Sequence, residues 1–98
     1  MPTYRLKFTV AALAEWKALD GSVKETFRKL LKKRVLQPHL PGSALKGPLF
    51  GCYKIKLRQQ GYRLIYTVQD DLMTVLVLTI NKRENNAVYK SLLKKLTP

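Results

Sequence analysis

Residues 53–68 alternate apolar and basic side chains in a pattern typical of a β-hairpin with one buried face. Apolar residues stand at Tyr53, Ile55 and Leu57, and the positions between them are lysines. Successive side chains along a strand point to opposite faces of a sheet. One face of this arm is therefore predicted to enter the core, while the other face carries positive charge.

A turn centred on Gln60 and Gly61 would join this arm to a second strand. With that turn the apolar residues face each other, and a slip of one residue would mix the two sets. The predicted pairs are Leu57 with Leu64, Ile55 with Tyr66, and Arg58 with Arg63. The outer face then collects four cations, which are Lys54, Lys56, Arg58 and Arg63. Because adjacent like charges destabilise a sheet, the cluster indicates either a phosphate-binding surface or an ordinary solvated face of a basic protein.

Hydrophobic periodicity around the hairpin predicts a single small α+β domain over residues 1–98. Before the hairpin, the pattern predicts a first strand with Tyr4, Leu6 and Phe8 on one face and a helix over 11–19 capped by Thr9. A second helix is opened by a capping box at 22–25. After the hairpin, the pattern predicts a central strand over 72–80 and a last helix capped by Asn85 or Asn86. The order is β-α-α-β-β-β-α. We expect a mainly antiparallel four-stranded sheet with a helical hairpin and a C-terminal helix.

The charge of the chain indicates its class of partner. It has 19 Lys and Arg residues against 6 Asp and Glu, so the formal net charge of its 98 residues is +13. The two halves share this excess almost equally, which assigns it to the folded surface rather than to a tail. Such a surface attracts polyanions, and nucleic acid is a better candidate than an anionic membrane.

Several protein classes are excluded by what the sequence lacks. The longest apolar run, at 75–80, is far shorter than the ~20 residues of a membrane helix, and the first residues lack the layout of a signal peptide. With one cysteine, Cys52, and one histidine, His39, we expect no disulfide framework, no His/Cys metal site and no paired-histidine nuclease centre. The prediction is a cytoplasmic protein without membrane contact, metal or cofactor.

The hairpin sequence closely resembles that of the RelE toxins of bacterial toxin–antitoxin pairs. The resemblance is carried by CYKIKLR at residues 52–58 and GYRLIY at 61–66, and it extends to ALAEWK at 12–17, LKG at 45–47, KRE at 82–84 and VY at 88–89. Residues 37–49 match the family only weakly, and Asn81 stands where the family often has glycine. Both residue types tolerate positive φ. The resemblance implies a RelE-like fold, similar to that of microbial ribonucleases.

The resemblance also implies a function, a site and partners. RelE toxins are ribosome-dependent endoribonucleases that cut mRNA in the A site of the 70S ribosome, and a RelB-like antitoxin neutralises them. The antitoxin complex represses its own operon, so operator DNA is expected as a partner of that complex only, and the free toxin is expected to be a monomer. By position, the active-site group would be Lys54, Lys56, Arg63, Arg83 and Tyr89. The expected RNA- or ribosome-binding residues are Arg58, Lys82, Lys24, Arg28, Lys32 and Lys33.

RNA cleavage by its own 2′-OH, which leaves a 2′,3′-cyclic phosphate, needs a base, charge stabilisation and an acid. Without a spare histidine, Lys54 or Lys56 is the candidate base, since packing a lysine among other cations favours its neutral form. Arg63 and Arg83 suit stabilisation of phosphate charge. Arg83 or Lys54 could protonate the leaving oxygen, and Tyr89 could orient or deprotonate the 2′-OH.

Two other functions are compatible with the charge. A non-catalytic RNA- or ribosome-binding module would show the same net charge of +13. A DNA-binding regulator would need an exposed recognition helix, whereas the predicted helices bury their apolar faces in one small core.

Overall fold

The computed structural model describes residues 3–82. It contains a four-stranded sheet and two helices: β1 (Arg5–Phe8), α1 (Val10–Lys17), α2 (Gly21–Arg34), β2 (Cys52–Leu57), β3 (Tyr62–Gln69) and β4 (Thr74–Lys82). Short 3-10 turns occupy Pro41–Ser43, Gly47–Leu49 and Asp70–Leu72. The predicted C-terminal helix lies outside the described residues.

The strands are ordered β1-β4-β3-β2, and the sheet is mixed. β4 runs parallel to β1 and antiparallel to β3, and β3 runs antiparallel to β2. The predicted α+β class and the central position of the last strand are confirmed. That strand begins at Thr74 rather than at residue 72, because Asp70–Leu72 forms a turn and Met73 adopts a left-handed φ of 46°.

The two helices begin at residues that satisfy their first backbone N–H groups in different ways. The predicted cap at Thr9 is confirmed, since its hydroxyl accepts a hydrogen bond from the Ala12 N–H at 3.1 Å. The predicted capping box at 22–25 is wrong. α2 already begins at Gly21, with Asp20 as the N-cap residue and without a side-chain cap, and the Lys24 N–H donates to the Asp20 carbonyl.

The hairpin between β2 and β3 has a different register from the predicted one. Ile55 lies opposite Leu64, and Leu57 lies opposite Tyr62, so the pairing is shifted by two residues. A two-residue turn of type I′ or II′ at Gln60 and Gly61 would need positive φ at Gln60. Among the described residues of this loop only Gly61 has one, of 74°. The loop therefore lengthens to residues 58–61, and Arg58 lies in it instead of pairing with Arg63.

The shift by two residues preserves the faces of the strands, and the main core forms on the predicted face. α2 contributes Phe27 and Leu31, which pack with Ile55, Leu64 and other buried residues of the sheet. Phe8 and Trp16 extend this core, with ring centroids 5.3 Å apart, and the Trp16 ring lies 6.3 Å from that of Phe27. Both helices thus cover one face of the sheet.

The opposite face of the sheet is partly covered by the loop that leads into β2. Ile65 is buried there together with Leu49 and Cys52, and Leu45 and Leu78 pack against them. Burial raises the pKa of the Cys52 thiol. Because Ile65 pairs with Lys54, this second cluster borders the lysine face of β2. Within the described part of the chain, no helix is long and apolar enough to cross a membrane.

A hydrogen-bonded clasp holds the loop after α2 against the sheet. His39 lies 2.8 Å from Asp70 through Nε2 and 2.8 Å from the Tyr53 hydroxyl through Nδ1. Since a carboxylate only accepts, Nε2 donates to Asp70. The Tyr4 hydroxyl donates to the same carboxylate at 2.7 Å. The clasp therefore joins β1, the loop, β2 and the end of β3.

The clasp predicts a pH-dependent contribution of Asp70 to stability. The pKa of Asp70 is lowered, first by the hydrogen bond from His39 and then by that from Tyr4. The ionised carboxylate therefore stabilises the folded state at pH values above 3.8, the ordinary pKa of this group. This stabilisation is lost as the pH falls through the lowered pKa. We expect Asp70→Asn to lower the urea unfolding midpoint near neutral pH, and the difference from the native chain to shrink in acid.

The adjacent Asp71→Asn is the matched control, because it removes the same charge from an exposed acid that makes no such hydrogen bonds. An equal loss of stability in both variants would show that the clasp contributes nothing specific.

Candidate active site

Four cationic side chains line one cavity on the lysine face of the hairpin. Lys54, Lys56 and Arg58 come from β2 and its turn, and Arg34 comes from the end of α2. The cavity has a volume of about 360 Å³, and Gly42 and Ser43 complete its lining. We call this cavity the basic cleft. It brings three of the predicted site residues together.

The alternation of β2 places the two lysines in the basic cleft. Ile55 and Leu57 are buried in the main core, so Lys54 and Lys56 must point to the other face of the strand. Arg63 lies opposite Lys56 on β3 and therefore shares this face. Arg63 is only 8% exposed, which makes it the most deeply placed of the predicted cations in the described residues.

Arg34 is a residue of the basic cleft that sequence reasoning missed. Its Nη1 donates to the Tyr66 hydroxyl at 2.9 Å and to the Lys54 carbonyl at 3.3 Å, and its Nη2 donates to Ser43 Oγ at 3.1 Å. A signal was present in α2: Arg34 falls three residues after Leu31 and seven after Phe27, which is the buried stripe of this helix. A cation at a stripe position indicates a side chain that reaches past the core.

Tyr66 connects the basic cleft to the core. Its ring is fully buried and stacks on Tyr53, with centroids 5.4 Å apart and an interplanar angle of 19°. Burial raises the pKa of Tyr66, although the hydrogen bond from Arg34 acts in the opposite direction. The phenol therefore keeps its proton and donates to the Pro38 carbonyl at 2.8 Å. The Arg34 guanidinium also lies 5.7 Å from the ring centroid.

The other predicted RNA-binding residues lie away from the basic cleft. On α2, Lys24, Arg28, Lys32 and Lys33 are exposed or half-buried. Arg28 forms an ion pair with Glu25 at 3.0 Å and lies 5.9 Å from the Trp16 ring centroid. Arg28 and Lys32 border a separate, mostly apolar groove of about 340 Å³. Lys82 ends β4, whereas Arg83 and Tyr89 lie outside the described residues.

The acidic residues of the part that the structure covers lie elsewhere. Glu15 accepts from Thr79 and the Ile80 N–H, Glu25 pairs with Arg28, and Asp70 belongs to the clasp. None of the described acids lines the basic cleft. Residues 3–82 also contain no group of three or more His, Cys, Asp or Glu that could hold a metal ion. The described lining of the cleft is therefore complementary in charge to an anion.

Three comparisons with known proteins agree on one family. A family model described as the ParE toxin of the type II toxin–antitoxin system parDE matches residues 6–87. The mRNA interferase toxin RelE of Escherichia coli K12 is 40% identical over 93 residues, which cover 95% of this chain and 97% of that protein.

Solved structures show the same similarity. A double arginine-to-alanine mutant of E. coli RelE in the free state matches with a TM-score of 0.84 and 38% identity, covering 98% of this chain and 100% of that one. The toxin in the intact E. coli RelBE toxin–antitoxin complex matches with a TM-score of 0.79 and 40% identity, covering 84% and 99%.

The contacts of Tyr66 predict a specific cost for losing its hydroxyl. Tyr66→Phe removes one of the two donors to the buried Pro38 carbonyl, which also accepts from the Leu40 N–H, and it removes one acceptor of Arg34. We expect the free energy of unfolding to fall by about 1–3 kcal/mol, measured by urea denaturation. Tyr62→Phe on the same strand is the control, because its hydroxyl makes no hydrogen bond to residues 3–82. Equal stability of the two variants would contradict this role.

Proposed function

Because this chain belongs to the RelE/ParE family of type II toxin–antitoxin toxins, we propose that its basic cleft is the active site with which it cleaves mRNA on the ribosome. The chain is a RelE-like mRNA interferase toxin, which is an endoribonuclease, and a RelB-type antitoxin neutralises it.

One observation carries the assignment of the site. Lys54, Lys56, Arg58 and Arg34 converge on a single cavity, and no carboxylate of residues 3–82 lines it. Like charges gathered at short range repel each other, and an RNA phosphodiester is the anion that removes this repulsion. If these lysines formed an ordinary solvated face, we would not expect an arginine with three hydrogen bonds to connect them to the core.

The chemistry that this cleft supports is attack of the 2′-OH on the adjacent phosphorus. Lys54 or Lys56, as a neutral amine, takes the proton of the 2′-OH while the 2′ oxygen bonds to phosphorus. The bond from phosphorus to the 5′ oxygen breaks, that oxygen takes a proton from Arg83 or Lys54, and a 2′,3′-cyclic phosphate remains. Arg63, opposite Lys56, stabilises the charge on the phosphoryl oxygens. Arg83 and Tyr89 would complete the group from outside the described residues.

Dependence on the ribosome follows from the weakness of these acids and bases. The cleft supplies charge, but lysines are poor proton acceptors near neutral pH, so the geometry of the RNA must contribute much of the rate. A vacant A site can hold the mRNA extended and in line for attack. Four α2 cations away from the cleft would dock ribosomal RNA, namely Lys24, Arg28, Lys32 and Lys33. Such an enzyme would act in the cytoplasm.

The proposed site predicts the effect of removing either lysine. Lys54→Ala and Lys56→Ala should each reduce single-turnover cleavage of mRNA in ribosomes with an empty A site by more than tenfold, or about 1.4 kcal/mol. Primer extension locates the cut and measures its rate. Lys29→Ala, which removes an exposed cation from α2, is the matched control and should cleave at the rate of the native chain.

Two outcomes would contradict the proposal. Losses of cleavage rate smaller than tenfold in both lysine variants would show that the cleft takes no part in catalysis. Ribosome complexes that bind the native chain but retain intact mRNA would instead favour the non-catalytic RNA-binding module. Cleavage of free RNA as fast as A-site mRNA would refute only the dependence on the ribosome.

We place the antitoxin on the apolar groove beside β1. β1 is an edge strand of the described sheet, and an edge strand offers unpaired backbone groups to an added strand. Tyr4, Leu6 and Phe8 line the groove, together with Trp16, Leu31 and Val35, and Arg28 and Lys32 supply positive charge. An amphipathic and acidic antitoxin segment fits this lining. Operator DNA would be bound by the resulting complex.

This placement predicts that Leu6→Lys weakens antitoxin binding by about 30-fold, or about 2 kcal/mol, because it introduces a charge into the apolar groove. Leu6 is 41% exposed, so the substitution should leave the fold intact. The control is Leu72→Lys, since Leu72 is 60% exposed and lies outside the groove. Titration calorimetry measures both variants, and equal affinities would move the antitoxin to another surface.

A further inference from the structure

Arg34 reaches the basic cleft from the helical layer of the fold, whereas the other three cations belong to the hairpin. It is the last residue of α2, and it lines the same cavity as Lys54, Lys56 and Arg58. Half-burial of a charged side chain costs free energy unless a partner or a ligand compensates it. The surroundings of Arg34 therefore bear on what the cleft binds.

The hydrogen-bond partners of Arg34 among residues 3–82 hold its guanidinium in place but carry no negative charge. They are the Lys54 carbonyl, the Tyr66 hydroxyl and Ser43 Oγ, at 3.3, 2.9 and 3.1 Å. All three are neutral oxygens. The ion pair between Arg28 and Glu25, at 3.0 Å, lies on another part of α2.

The donors that remain on Arg34 suit a phosphate. A guanidinium carries five N–H donors, and the contacts above engage both on Nη1 and one on Nη2. One hydrogen on Nε and one on Nη2 are left for a ligand. Two donors on one rigid plane can bind two oxygens of a single phosphate, which the point charge of a lysine does not match. The Ser43 hydroxyl hydrogen adds a further donor beside them.

The cations of the cleft extend over more than one phosphate group. Lys54 and Lys56 are two residues apart on β2, so their Cα atoms are separated by about 6.6 Å. Arg58 follows Lys56 at the hairpin turn, while Arg34 donates to the carbonyl of Lys54 at the opposite end of the row. With Lys56 as the base, a phosphate bound at Arg34 lies beside Lys54, and its neighbour along the strand is the phosphate that reacts beside Lys56 and Arg63.

We propose that Arg34 binds the RNA phosphate next to the reacting phosphodiester and thereby positions the substrate strand in the basic cleft. This inference rests on the mRNA-cleaving function proposed above and adds a substrate-binding residue to it. The hydrogen bonds from the protein preset the guanidinium, so little side-chain freedom is lost when the phosphate binds. Arg34 takes no part in proton transfer.

The salt dependence of binding tests this contact. The probe is a short single-stranded 2′-O-methyl RNA, which cannot be cut because its attacking hydroxyls are blocked. Each phosphate contact contributes about 0.7 to the slope of log K against log salt. Arg34→Gln should reduce the magnitude of this slope by about 0.7 and weaken binding at low salt by about tenfold. Lys29→Gln removes one charge from the exposed side of α2 and should leave the slope unchanged.

Arg34→Lys separates substrate binding from a merely structural role. Both Arg34 variants lose the fork that joins Tyr66, Lys54 and Ser43, so both should show a similar fall in unfolding midpoint. Only the glutamine variant loses the charge, so only this variant should show the smaller salt slope. Equal slopes in the native chain and Arg34→Gln would overturn the proposal, as would an equal loss of slope in both Arg34 variants.

A measurement on the native chain covers the case in which Arg34→Gln does not fold. The guanidinium Nε–H resonance of Arg34 can be followed by NMR while the same RNA is added. The resonance should shift during the titration, and the dissociation constant taken from this shift should equal that of the overall binding. A resonance that does not move would overturn the contact.

The outcomes distinguish this inference from the proposed function. If the native chain fails to cut A-site mRNA while Arg34→Gln loses the salt slope, the phosphate contact stands and the cleavage site is wrong. If the native chain cuts mRNA while Arg34→Gln keeps the slope, only the role of Arg34 fails.

Discussion

The alternation of β2 is the constraint on which the rest of the structure depends. Burial of Ile55 and Leu57 in the main core forces Lys54 and Lys56 onto the opposite face of the same strand. The free energy gained by burying the apolar row holds the cationic row together against its own repulsion. Core packing and the cationic surface are thus two faces of one strand.

The second link between core and cleft is the contact of Arg34 with Tyr66. Tyr66 is packed among core residues, and its hydroxyl joins the end of α2 to the loop at Pro38. Through its stacked ring, the half-buried Tyr53 connects this group to His39 and the clasp. The loop that carries Gly42 and Ser43 into the cleft is therefore held from two sides. A site for a flexible RNA strand gains from such a rigid wall, because binding then costs less ordering.

The sequence pattern predicted the elements better than their connections. The alternating arms were found where expected, but the pairing of Ile55 with Leu64 depended on the backbone of the turn, which the one positive φ at Gly61 decides. The capping box failed for a similar reason: α2 extends back to Gly21, and this depends on the geometry of the chain before it. Side-chain periodicity is a property of one strand or helix, whereas register and helix ends depend on how two segments meet.

By itself, the sequence determined the α+β class, the family, the basic surface and the grouping of Lys54 with Lys56, because each follows from local spacing or from a motif that is contiguous in the chain. Only the tertiary structure decided that Arg34 joins these lysines, that Arg63 is nearly buried, and that the cations of α2 divide between the cleft and an apolar groove. These placements depend on packing between residues that are distant in the chain. Arg34 and Lys54 are 20 positions apart, and only the docking of α2 on the sheet brings the guanidinium to the lysine carbonyl.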